Sequence, residues 1–393
     1  MTRILHVITG LSTGGAEIML LKLLTATRDS HCQAVISLKD EGTVGPRIRE
    51  LGVPVYSVGM QRWAPNPFRT LPMISAARRF DPQIIQGWMY HGNLMASLAG
   101  AAMRHPTPVI WDIQQSIAKV ASYGRITGAV IRLGAWVSKH PSTIVYASRT
   151  GAKQHEDLGF CAKRRVVIPN AIDCQAFHPD ITCGRQIRDE LGFGRDTVLV
   201  GQVARLHPMK DHAGFLRAAG LVARRYPKAR FVLIGTNVTI EQTALRQMIA
   251  EQQLDGRVAL LGERSDMPQL TAGLDIACSP SAWGEAFSLA IAEAMACGIP
   301  CVVTDVGDSA YIVADTGLSV PPSDPQALAQ AIGRLIEAGP EHRRQLGMAA
   351  RRRIENEFSL PEIAARFETL YREHLSHEQE TAFNSGRHDG KPL

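Results

Sequence analysis

The chain has 393 residues, 45% of them hydrophobic and 20% charged, with a formal net charge of +6. That length exceeds what one hydrophobic core usually serves, so two domains are expected, and the composition excludes a disordered or collagen-like chain. No stretch approaches 18 uncharged apolar residues, which argues against a membrane-spanning helix, and the seven scattered cysteines lack the CxxC pairs of a zinc site or the density of a disulfide framework.

The chain opens on ILHVIT (4–9), a short strand that reaches a turn glycine, Gly10. Without a basic leader or cleavage site this start is not read as a signal peptide, and a reduced, cytoplasmic setting is expected. An apolar helix, AEIMLLKLLTA (16–26), follows. Further strand-type runs are AVISL (34–38), QIIQG (83–87), PVIWDI (108–113), TIVYAS (143–148) and RVVIP (165–169). A second series comprises TVLVGQVA (197–204), RFVLIG (230–235), RVALLG (257–262), LDIACSP (274–280) and IPCVVTD (299–305), with helical stretches such as HAGFLRAAGLVARRY (212–226) between them.

Continuously apolar strands that alternate with amphipathic helices predict parallel sheets covered on both faces. Two such series predict an α/β protein of two doubly wound, Rossmann-like domains, residues 1–175 and 176–357. The boundary is expected near PNAIDCQAFHPD (169–180), where Pro, Asn and Asp cluster. A break at Ser359–Pro361 precedes a terminal helix over 360–375, and the polar tail 376–393 is expected to be disordered.

Charge is uneven along the chain. Between residues 51 and 150, Asp81 and Asp112 are the only acids among ten Lys and Arg. This half therefore suits an anionic partner, either a membrane surface or a phosphorylated substrate. Nucleic acid fits less well, because aromatics are only 6% and no recognised binding motif occurs. In YGRITGAVIRLGAWVSK (123–139), Arg125, Arg132 and Lys139 recur every seven residues on one helical face, while Ile126, Val130, Leu133 and Val137 line another. Such a helix either packs on its sheet with a solvated basic stripe or touches anionic lipid.

Ligands of doubly wound sheets bind beyond the carboxyl ends of the strands. Four segments meet that condition. The first is the loop of Gly10, Gly14 and Gly15, where glycines let a ligand approach the backbone at a helix start, or simply make a tight connection. The second is VGQVARLHPMKDH, in which Arg205 and Lys210 flank a loop; two cations there could neutralise a diphosphate, or be solvated loop charges. The third is GEAFSLAIAEAMACGIPCVVTD (284–305). Its helix reads as largely buried, yet it carries Glu293, with Glu285 eight residues earlier. A buried carboxylate needs a partner, which could be a ligand's vicinal hydroxyls or a structural arginine, and the amides of Phe287, Ser288 and Leu289 would face an anion. The fourth is WMYHGNL, where His91 is either a structural or a catalytic histidine.

GLSTGGAE, VIPNAIDCQAFHP, ARLHPMKD, LLGERSDMPQLTAGLDIACSPS and GEAFSLAIAEAMACGIPCVVTD, in that order from residue 4 to about 375, together resemble glycosyltransferase family 4. The resemblance implies a GT-B fold, two Rossmann-like domains facing a central cleft, with the terminal helix crossing back to the first. It implies retaining transfer from a nucleoside diphosphate sugar to a glycan or lipid-linked acceptor, as in cell-surface polysaccharide biosynthesis at the inner face of the cytoplasmic membrane. Arg205 and Lys210 match the cations on the donor diphosphate. Glu285 and Glu293 match the E-x7-E acids, the first near the donor sugar and the second on ribose. Ser288 and Leu289 match amide donors to phosphate. Gly262, Glu263 and Arg264 match the loop beside the nucleobase, and Gly14 and Gly15 the glycine turn over the donor. No metal or further cofactor is implied, and no DxD motif occurs.

The pattern departs from the family at two places. A histidine usual after the PVIWDI strand is replaced by Gln114 and Gln115, leaving His91 the nearest imidazole in sequence. The usual GGxxE is here Gly307–Asp308–Ser309–Ala310–Tyr311, so the donor sugar is not specified. A nucleotide-sugar-binding protein with little or no turnover is the alternative. A dinucleotide-dependent oxidoreductase is disfavoured by the missing GxGxxG.

Overall fold

Apolar runs such as Ile4, Leu5, Val7 and Ile8, all fully buried, leave no solvent face on the first strand and require cover on both sides. A computed structural model of the chain describes residues 1–60, 67–117 and 124–386, and in it these runs form two parallel sheets. The first contains β1 (Thr2–Ile8), β2 (His31–Ser37), β3 (Val55–Ser57), β4 (Ile84–Trp88), β5 (Val109–Ile113), β6 (Thr143–Tyr146) and β7 (Arg165–Val167). Its order is β3-β2-β1-β4-β5-β6-β7. The second contains β8 (Val198–Val203), β9 (Ala229–Ile234), β10 (Val258–Leu260), β11 (Ile276–Ser279), β12 (Cys301–Thr304) and β13 (Gly317–Val320), in the order β10-β9-β8-β11-β12-β13.

The chain divides into two compact units, Met1–Ala171 with everything from Leu360 onward, and Ile172–Ser359. The first division falls inside the Pro/Asn/Asp-rich segment. The helix Leu360–Gly386 packs in the first unit, where Ile363, Phe367, Leu370 and Tyr371 join Ile4, Leu20 and Ile168 in one core. His374 Nε2 lies 2.9 Å from Thr143 Oγ1. Disorder was expected from Ser376, but the helix runs on to Gly386, since Glu, Gln and Ala there favour helix over coil. Residues 387–393 of that expectation lie outside the described residues.

The helix Arg125–Val137 turns Gly128, Ile131 and Gly134 toward the core. Ile126 and Leu133 face solvent instead, and so do not form a buried row with Val130 and Val137. All seven cysteines are free, and no helix among the described residues is long and apolar enough to cross a membrane.

Candidate functional site

Each sheet has one place where the strand order reverses, and loops leaving the two strands there diverge to open a crevice. In the first sheet it lies between β1 and β4, and in the second between β8 and β11. Gly14, Gly15 and His91 follow β1 and β4. Arg205 and Lys210 follow β8, and Glu285 follows β11.

In the second unit these loops are tied together. Gln202, buried at the end of β8, donates from Nε2 to the Lys210 carbonyl at 2.8 Å, and the Ala282 amide donates to the Met209 carbonyl at 2.8 Å. Asp211, at φ 45°, caps the next helix by accepting from the Gly214 amide at 2.8 Å. So held, Lys210 Nζ donates to Glu285 Oε1, which also accepts from Ser281 Oγ at 2.6 Å. Glu285 is only 6% exposed, and these two donors satisfy its Oε1 away from solvent. Gly307, at φ 63°, lies where a Cβ would strike the Glu285 carbonyl, and the Asp308 amide donates to the Ala286 carbonyl at 3.1 Å. The Gly307–Tyr311 departure thus lies directly against the Glu285 segment. Arg205 is exposed and has no ion-pair partner among the described residues.

The two acids differ from expectation. Glu285 is the buried one, while Glu293 is half-exposed. The helix Leu289–Ala296 is apolar on most of its circumference, but Leu289, Ala290 and Glu293, spaced three and four apart, form one partly open strip. Glu293 therefore keeps contact with solvent, and the premise of a fully buried inner acid is corrected. Ser288 is the N-cap and makes no side-chain cap bond, so the first amides of this helix, from Leu289 on, are left for another acceptor. Phe287 is buried and packs on Phe358 at 5.6 Å between ring centroids.

Gly262 adopts φ 64°, its amide donating to the Val238 carbonyl at 2.8 Å and its carbonyl accepting from Gly235 at 2.7 Å. Glu263 is exposed and accepts from Thr236 Oγ1 at 3.0 Å. Arg264 is committed to Asp266 at 2.6 Å and Glu190 at 2.8 Å, which raise its pKa. Its side chain thus ties this loop to the end of the helix Ile181–Glu190.

In the first unit, Gly14 is extended and a Cβ on Gly15 would meet nothing within 4 Å, so neither glycine is demanded by the turn. Glu17 folds back over Gly14, and burial raises its carboxyl pKa. This acid already occupies the positive end of the helix, so the loop offers close approach rather than an anion site. Met89, at φ 61°, turns the chain sharply from β4 into the helix that carries His91. Burial, with the charge of Lys39, pushes the His91 imidazole down to about 4.

Gln114 donates from Nε2 to Asp112 Oδ1 at 2.5 Å; Gln86 donates to Asp112 Oδ2 at 3.1 Å and accepts from Tyr371. Fully buried, Asp112 is pushed up to about 7 by desolvation, against the pull of both amide donors. Sequence reasoning missed Asp112, Gln86 and Gln202, because a single polar residue inside an apolar strand carries no motif, and Ser281, a loop serine after β11.

Two family models match: a glycosyl transferase 4-like domain over residues 14–171 and glycosyl transferases group 1 over residues 197–338. The chain belongs to the family 4 glycosyltransferases. This family 4 chain is 27% identical over 228 residues to UDP-Gal:alpha-D-GlcNAc-diphosphoundecaprenol alpha-1,3-galactosyltransferase of Escherichia coli, over 55% of its own length and 58% of that relative. It is 24% identical over 342 residues to phosphatidyl-myo-inositol mannosyltransferase of Mycolicibacterium smegmatis, covering 82% and 81% of the two chains. It thus spans little more than half the length of the first relative. The crystal structure of Anabaena HepE in complex with UDP superposes with a TM-score of 0.80 at 22% identity, over 94% of this glycosyltransferase and 99% of that chain. That likeness establishes the fold, a GT-B arrangement of two parallel-sheet domains.

Proposed function

We propose that this chain transfers a glycosyl unit, with retention of configuration, from a nucleoside diphosphate sugar to a glycan or lipid-linked acceptor in cell-surface polysaccharide biosynthesis. The observation that carries the reading is the Lys210–Glu285 pair at the β8/β11 reversal, with Arg205, exposed and without an ion-pair partner among the described residues, in the same loop as Lys210. The bond from the anomeric carbon to the diphosphate breaks as the acceptor oxygen bonds that carbon from the same face, and the acceptor proton leaves with the departing phosphate. Negative charge then grows on the diphosphate, where Arg205, Lys210 and the uncapped amides from Leu289 on supply countercharge. The reading assigns that task to protein cations, with the nucleotide sugar as substrate and no further cofactor.

Glu285 lies toward the donor sugar in this reading and the half-open Glu293 toward ribose, with Gly262 and Glu263 beside the base. His91 is given a place near the reacting groups as a neutral imidazole, and Gly14 and Gly15 close approach to the donor. That an Escherichia coli relative acts on a diphosphoundecaprenol-linked sugar and that HepE binds UDP support donor and acceptor classes of this kind. A lipid-linked acceptor would bring the protein to an anionic membrane surface at the cytoplasmic face.

The test is a thermal-shift screen across UDP-, GDP- and ADP-sugars, followed by turnover with a lipid-linked acceptor and assignment of the product anomer by NMR. Stabilisation by one donor and a product of retained anomeric configuration are expected. A shift without product would favour the binding-only reading, to which Gln114 in place of histidine points. An inverted product would remove the retaining assignment.

A further inference from the structure

The helix Arg125–Val137 presents an outward face that its own fold does not use. Trp136 is 73% exposed, Ile126 58% and Leu133 48%. With exposed Ala129 these residues fall at spacings of three, four and three, which is one continuous stripe along a helix. Arg125, Arg132 and Lys139, all exposed, run beside it at intervals of seven. The segment from Arg125 to Lys139 contains no acidic residue, and of the two acids between residues 51 and 150, Asp112 is fully buried. The inner side is occupied by Gly128, Ile131 and Gly134, with Gly134 against the Phe160 ring, so the helix cannot rotate its apolar row inward without losing that packing.

We propose that this face docks the protein on an anionic phospholipid bilayer, with Ile126, Leu133 and Trp136 seated at the headgroup boundary and Arg125, Arg132 and Lys139 on lipid phosphates. An exposed tryptophan on an amphipathic helix edged by cations suits that interface, where the ring is half apolar and the headgroups are negative. A protein partner would need to bring acids matched to a row of cations, whereas an anionic membrane supplies them at any register. The inference deepens the membrane contact proposed above and rests on that part of it. The donor chemistry is read separately.

Flotation of the full chain with vesicles tests it. Binding is expected to vesicles of phosphatidylcholine with phosphatidylglycerol, to weaken steeply with salt, and to be slight with phosphatidylcholine alone. Arg132→Gln and Lys139→Gln should each lower the partition coefficient roughly fivefold. Trp136→Glu and Leu133→Glu should abolish flotation, with circular dichroism and melting unchanged because both side chains face solvent. No flotation of the wild-type chain at low salt overturns the inference, and so does undiminished flotation of Trp136→Glu. A dimer in sedimentation that Leu133→Glu dissolves, without vesicle binding, would assign the face to a second copy instead. The nucleotide-sugar shift is measured on the same samples. Its loss with flotation intact removes the donor reading alone, and the reverse removes the docking face alone.

Discussion

At the strand-order reversal of the six-stranded sheet a lysine and a glutamate face each other with a serine behind them. Near that of the seven-stranded sheet stand two groups that burial has made hard to charge: His91, pushed down to about 4 with help from the charge of Lys39, and Asp112, pushed up to about 7. The same topology thus prepares two different environments. One holds a lysine–glutamate ion pair, and the other holds groups that burial discourages from charging. The difference arises from partners, since Glu285 has Lys210 and Ser281 while Asp112 has only neutral amides.

The comparison breaks most visibly at Lys210. Lys210→Ala leaves Glu285 buried with the Ser281 hydroxyl still donating to it, and removing one partner of such a pair costs about 3–5 kcal/mol. Turnover should fall by about two to three orders of magnitude, with a lower melting temperature. Glu285→Gln, which strands the more exposed Lys210 cation but keeps an acceptor for it, should lose turnover with a smaller fall in melting temperature. If Lys210→Ala retains wild-type kcat/KM, the charged site is structural only.

The next effect separates the units by pH. His6 and His155, both fully buried, are each pushed down to about 4 by burial. Their folded pKa lies below the unfolded value of 6.5, so the unfolded chain binds more protons between those limits and stability falls as pH drops through them. Two protons correspond to about 2.7 kcal/mol per pH unit at the steepest. Asp112 acts with the opposite sign. Its folded pKa of about 7 lies above the unfolded 3.8, so its contribution is lost as pH rises from 3.8 to 7. Hydrogen exchange should therefore show the first unit loosening before the second between pH 6 and pH 4, both limits being approximate. Asp112→Asn should steepen that loss. Equal protection in both units across the range would remove the contrast.

Arg205 sharpens the comparison without touching stability. It has no ion-pair partner among the described residues, so Arg205→Ala should leave the melting temperature in place. UDP affinity should drop about tenfold or more, the worth of a charge-assisted hydrogen bond of about 1.5–3 kcal/mol, read by calorimetry. Unchanged affinity would take Arg205 out of the donor site.

Eleven strand runs were legible because each carries a short continuous apolar run, even in β7 and β10, which lie at a sheet edge and are only partly buried. The two that were not, β3 and β13, each lie at one edge of their sheet, and Val55–Ser57 and Gly317–Val320 mix polar or glycine positions with apolar ones. Arg205 and Lys210 were legible as two cations of one loop after a strand, and the resemblance to family 4 is what grouped them with Glu285. Which acid is buried was not, since Glu285 precedes a helix in sequence yet is enclosed by the loops after β8 and β12, a tertiary fact. The same holds for Ile126 and Leu133. Their periodicity marks a face, but whether it looks inward depends on Phe160 filling the opposite side at Gly134.

The smallest effect concerns Gly15. A methyl group there meets nothing within 4 Å and φ does not require glycine, so Gly15→Ala should change stability by no more than about 0.5 kcal/mol. Any kinetic consequence must then come from an incoming molecule. If the donor is approached by this loop, KM for the nucleotide sugar should rise several-fold while kcat holds, because the methyl would crowd ground state and transition state alike. Gly14→Ala is the matched control: its methyl would collide with the Glu17 carboxylate, a side chain that can swing away, so it reports the cost of moving that acid. A rise in KM for Gly15→Ala alone would place the donor over the helix start. Equal, wild-type kinetics for both would return the loop to a plain connection and leave donor recognition to the second unit.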